Sequence, residues 1–168
     1  MATELYDLTV PVFQRGFAAL SAFLEKARAH ADANGIAHAE LLEARLYPDM
    51  HPLPYQVQRA SDAAKFTIVR VGQVENVPMA DEEKSFADLQ DRIARTLALV
   101  ATATPEGMNG REQATITIAT PNRSFEMSGI DYVRGFVLPN FYFHLTTAYA
   151  ILRMKGVPLG KMDFLGSV

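Results

Sequence analysis

The chain contains no cysteine. Disulfides, cysteine nucleophiles and thiolate metal sites are thereby excluded, and thiol chemistry would need a thiol brought in by a substrate. Tryptophan is also missing, so ten Phe and six Tyr carry the aromatic packing. Basic charge is not in excess: 16 Lys and Arg stand against 19 Asp and Glu, a formal net charge of −3, with a pI near 5.8. That balance offers no footprint for a phosphate backbone, and nucleic acid is not an expected partner. The sequence shows no long run of one charge sign, internal repeat or low-complexity tract. Its start, MATELYDLTV, lacks the basic residues and apolar core of a signal peptide, so a cytoplasmic location is expected. A length of 168 residues with 49% hydrophobic composition points to a single domain over 1–168.

What the sequence does have is one long apolar stretch, SGIDYVRGFVLPNFYFHLTTAYAILRMKG, from Ser128 to Gly156. Ser128 and Asp131 match a capping box at its start, while Lys155, Gly156 and Pro158 end it. Val133, Val137, Asn140, His144, Thr147 and Ile151 form one stripe of a helix. Leu138, Phe141, Leu145, Ala148 and Leu152 form a second stripe beside it. A helix apolar around most of its circumference is buried on several sides or spans a membrane. Pro139, Asn140 and His144 in the middle, with Asp131 and Arg134 just before, favour the central helix of a bundle over a membrane span. Pro139 removes a backbone donor and predicts a kink at Leu138.

Three further helices precede it. Phe13, Phe17, Leu20, Leu24, Ala27 and Ala31 alternate spacings of four and three, a bundle seam within a helix from Leu5 to Asn34 that Gly35 ends. A short amphipathic turn over 37–46 and a loop with Pro48, Pro52 and Pro54 lead to a second helix, Pro54 to Val71. Its inward face is Val57, Ala60, Ala64, Ile68 and Val71. Ser85 and Asp88 repeat the capping-box pattern and open a third helix with Phe86, Leu89, Ile93, Leu97 and Val100 on its core stripe, closed by Pro105 and Gly107. The period then changes to two at Thr115–Ile118 and again at Phe125 and Met127. A turn, Thr120-Pro121-Asn122-Arg123, lies between, which predicts a hairpin too small to stand alone. The apolar tail VPLGKMDFLGSV is expected to fold back, with Phe164 and Leu165 on the bundle and Lys161 and Asp163 at the surface or in an ion pair. The architecture is therefore mainly α: a four-helix bundle, a short β-hairpin between helices 3 and 4, and a folded-back C-terminal tail.

The segments LYDLTVPVF, ARLYPDMHPLPYQV, LPNFYFHLTTAYAILR and GVPLGKMDFLG resemble the family called domain of unknown function 1993, within the DinB-like superfamily. The resemblance covers essentially the whole chain. It implies a DinB-like four-helix bundle, often a homodimer, in a superfamily where many members hold a divalent metal with three histidines and some are thiol-dependent transferases or isomerases. In metal-binding members two histidines lie four apart on the last helix, and the third is on the second helix. Registered on AYAILRMKG, His144 takes the second place of the pair and Asn140 the first, while Gln56, Gln58 and Ala60 stand where helix two would supply its histidine.

His144 is the one histidine surrounded by core-type residues, and an imidazole titrating near neutrality suits acid or base work. Three readings follow from the residues themselves. In the first, His144 is catalytic or binding in a polar pocket lined by Asn140, Gln56, Tyr149, His51 and Asp49. In the second, His51, His144 and Asp49 assemble a metal site, which one imidazole beside weak amide donors disfavours, and no metal ligand is assigned. In the third, His144 and Asn140 satisfy one another or Asp62 and only specify packing. The expected function is a small-molecule-binding or stress-related bundle without a complete metal site. The alternative is a glutathione-type, thiol-dependent transferase or isomerase. The aromatic run Phe141-Tyr142-Phe143 cannot all face one side, and a homodimer is the expected outlet for the remainder.

Overall fold

A computed structural model describes residues 4–120 and 122–166. The bundle consists of α1 (Leu5–Asn34), α3 (Leu53–Arg70), α4 (Phe86–Val100) and α7 (Leu138–Met154). Between them lie the short helices α2 (His38–Leu42) and α5 (Pro105–Met108), the strands β1 (Thr115–Thr120) and β2 (Arg123–Ser128), and α6 (Gly129–Asp131). A last short helix, α8 (Lys161–Leu165), closes the described chain. Packing runs α3 against α7 and α4, and α1 against α4 and α7. Among the described residues no helix is long and apolar enough to cross a membrane.

Local signals set the helix ends. Gly35 and Gly156 follow α1 and α7 in the left-handed conformation, at φ 64° and 87°, where a side chain would be strained. Ser85 and Ser128 accept hydrogen bonds from the Asp88 and Asp131 amides, as the capping boxes require. The seam residues of α1 and those of α3 are fully buried, and they join one contiguous core. β1 pairs antiparallel with β2 from Thr115 opposite Ser128 to Thr120 opposite Arg123. Ile116 and Ile118 press the hairpin onto the bundle, which is how two strands alone become stable. Pro121, at the predicted turn, lies outside the described residues. The tail folds back: Phe164 stacks on Phe23 and meets Tyr149 edge-on, and Asp163 pairs with Lys26 at 2.6 Å.

Three expectations change. The backbone adjustment expected at Leu138 begins earlier in the chain: Tyr132–Val137 form a π-helical segment in which the Leu138 amide reaches back to the Val133 carbonyl. The wider turn spreads over six residues the adjustment that a proline in the first turn of α7 demands. On α4 the inward stripe is partly polar, since Arg92 and Thr96 are buried where Leu97 was expected and Leu97 is only half-buried. Pro105 starts α5 rather than merely ending a helix, with Thr104 as its cap.

Candidate functional site

On α3, Gln56, Arg59, Ala63, Phe66 and Arg70 recur at spacings of three and four, a mixed stripe of polar, small and aromatic side chains beside the core stripe. This stripe looks toward α7 and the π-helical segment. At its N-terminal end, buried Gln56 meets His144, with Oε1 2.8 Å from Nδ1. The Gln56 amide donates from Nε2 to the His51 carbonyl at 2.9 Å. That bond turns the amide oxygen toward the imidazole, so His144 donates from Nδ1–H and its Nε2 is left as an acceptor. Among the described residues no hydrogen bond reaches Nε2. Tyr55 and Phe143 enclose the ring edge-on. Burial, and then the positive charge of Arg59, push the His144 pKa down to about 4, so the ring is neutral at physiological pH.

One helical turn before His144, half-buried Asn140 lines a cleft of about 350 Å³ between α3, the hairpin and the π-helical segment. Arg59, Asp62, Phe66 and Arg70 come to it from α3, Ile118 to Thr120 from β1, and Tyr132 and Phe136 from the π-helical segment. The α3 cations fall into two groups. Arg59 pairs with Asp62 at 3.1 Å and with Asp81. Behind it, Arg92 is 1% exposed and reaches Asp81 and Glu83, both at 2.9 Å, and Asp62 at 3.3 Å. Lys65 closes this network on Asp62 at 3.5 Å. Three cations and three carboxylates thus neutralise one another. Arg70 stands apart: its Nη1 donates to the Tyr132 hydroxyl at 3.0 Å, and its guanidinium lies over the Phe66 ring.

The structure therefore brings His144, Gln56 and the main chain of His51 together. Asn140 is on the same face of α7 but looks into the Arg-lined cleft, and it is not the hydrogen-bond partner of His144. Asp62 is not that partner either, being engaged by Arg59, Lys65 and Arg92. His51 has its exposed ring stacked on Tyr55 at 3.8 Å. Tyr149 sits at the other end of α7 against Phe23 and Phe164, and Asp49 is exposed in the loop before α3. Tyr55, Arg59, Arg70 and Arg92 were missed. The mixed stripe on α3, running beside an apolar one at the same period, is the signal that points to Arg59 and Arg70.

The donor set does not fit a divalent metal. His144 keeps a free Nε2, but the side chain one turn away is an amide facing elsewhere, and among the described residues no three His, Asp or Glu side chains converge on a point. A family model described as "Domain of unknown function (DUF1993)" matches residues 5–165. A crystal structure of a DinB family member protein from Shewanella denitrificans is similar at 37% identity and a TM-score of 0.89, covering 98% of this chain and 93% of that one. No curated protein matches the chain.

Proposed function

Since the chain belongs to the DUF1993 family and has a DinB-like fold, we propose that it is a cytoplasmic small-molecule-binding bundle working without a metal. Its ligand would occupy the cleft beside Asn140, one helical turn from His144, whose neutral ring is fixed on Gln56 outside the cleft lining. The observation that carries this reading is one concavity, in the size range of small-molecule sites, onto which α3 turns Arg59, Phe66 and Arg70, α7 turns Asn140, and the π-helical segment turns Tyr132 and Phe136. The role of such a bundle in stress response belongs to the same reading.

Native mass spectrometry and metal analysis of untagged protein test it. A small molecule retained by the wild type and lost on Ala119→Trp, which fills the cleft from an exposed strand position, is the expected result. Stoichiometric zinc or nickel that disappears on His144→Ala would overturn it.

A second reading, a transferase using an external thiol, draws on the free Nε2 of His144. Basicity weighs against it. An imidazole whose conjugate acid has a pKa of about 4 would take a proton from an ordinary thiol of pKa about 8.5 at a cost of about 6 kcal/mol. Glutathione transfer to an electrophile, abolished by His144→Ala, would establish this reading in place of the first.

A further inference from the structure

Within the cleft just described, and resting on its role as a binding site, the positive charge is unevenly answered. Arg59, Lys65 and Arg92 share Asp62, Asp81 and Glu83. Among the described residues Arg70 makes no ion pair, and the side chain of Asn140 makes no hydrogen bond. Both are half-buried and line the same concavity. The guanidinium of Arg70 is nevertheless held in place: its carbon lies 4.7 Å from the Phe66 ring centre and 5.8 Å from that of Tyr132, whose hydroxyl accepts a hydrogen bond from it. A planar fork, oriented by aromatic rings and lacking a carboxylate, is arranged for a planar anion.

The remaining walls are apolar. Phe66, Ile118 and Ala119 lie opposite Phe136, which is 38% exposed and stacked on Tyr132 with 6.0 Å between ring centres. Flat apolar surface removed from water there adds to the charged contact, and the volume of about 350 Å³ sets a small-molecule scale. Asp62 also reaches the cleft, but three cations already answer its charge. We infer that the cleft takes a small organic carboxylate with a flat apolar body, its carboxylate on Arg70 and Asn140 and its body between Phe66 and Phe136.

The test is calorimetric titration of the full chain with benzoate and phenylacetate, their neutral amides, acetate and inorganic phosphate. The aryl carboxylates should bind saturably, at least tenfold tighter than the amides, acetate or phosphate. Arg70→Met should erase the advantage of acid over amide, and Arg70→Lys should keep part of it. Circular dichroism and melting temperature report whether each variant is folded, and Asn140→Ala, with a smaller loss of the same kind, stands in should Arg70→Met not fold. Amides binding as tightly as acids, with Ala119→Trp blocking both, would overturn the carboxylate inference while leaving the binding role intact. Phosphate or acetate matching the aryl acids would overturn it because the apolar body would then contribute nothing. Absence of saturable carboxylate binding would overturn it too, and the binding role would then rest on whether a retained molecule is lost on Ala119→Trp.

Discussion

At His144, folding and protonation are coupled. The ring is 9% exposed, faces Gln56, Tyr55 and the charge of Arg59 from α3, and holds its pKa near 4 against an ordinary 6.5. Between those values the unfolded chain binds a proton that the folded chain does not, so stability rises with pH across this window. The contribution is fully present above about pH 6.5 and is lost as pH falls toward 4, to a limit of about 3 kcal/mol. Urea unfolding of the wild type and of His144→Gln between pH 7 and pH 4.5 measures it. The wild type should lose ground to the variant steadily as pH falls, and a stability difference independent of pH would show that the imidazole is not held neutral by the fold. Arg92 is the other residue on which much depends. Truncation to Met leaves Asp62, Asp81 and Glu83 without their shared buried donor, and a loss of about 3–5 kcal/mol in chemical unfolding is expected.

Between elements, α1 and α7 approach closely at Gly16. A methyl group on Gly16 would lie 2.5 Å from the Phe141 ring. That ring cannot swing aside, because Phe13 and Phe17 hold it edge-on at 5.1 and 5.3 Å. Gly16→Ala should therefore lower stability by about 1–3 kcal/mol despite its gain in helix propensity, read as a fall in melting temperature. An unchanged or higher melting temperature would mean that the two helices separate at no cost. Helix boundaries were legible in the sequence because serine caps, terminal glycines and a 3.6-residue period act within a few residues of one another. The polar side of α4 was not. Arg92 and Thr96 are buried because partners distant in sequence meet them: Asp62 and Ser61 on α3, and Asp81 and Glu83 in the connection before α4. No local period reports such pairings. For the same reason His144 was legible as buried, while its partner Gln56, 88 positions away, was only one of several polar residues that could have reached it. The π-helical segment was hidden differently: a proline in the first turn of α7 signals a disturbance there, but its surroundings decide where the backbone widens.

Over the whole molecule, the outer face of α7 is still uncovered. Phe143 is 56% exposed and Tyr142 43%, and Met154, 52% exposed, continues the apolar surface. Tyr142 and Phe143 themselves wall a shallow trough that runs with Thr146, Thr147 and Ala150 of α7 along Leu46. A projecting ring and an apolar trough on one face suit a two-fold contact, in which each copy seats its Phe143 against the other's trough. A second copy of the chain is thus the proposed occupant, and the contact bears on the site because Phe143 packs edge-on against His144 at 5.2 Å. Sedimentation equilibrium at tens of micromolar should give a dimer for the wild type and a monomer for Phe143→Glu, whose carboxylate the apolar trough cannot solvate. The monomeric variant should keep its helical circular dichroism, since that side chain lies outside the core. A wild type that sediments as a monomer, or a Phe143→Glu variant that remains a dimer, would remove α7 from the interface and leave its exposed aromatics to a different partner.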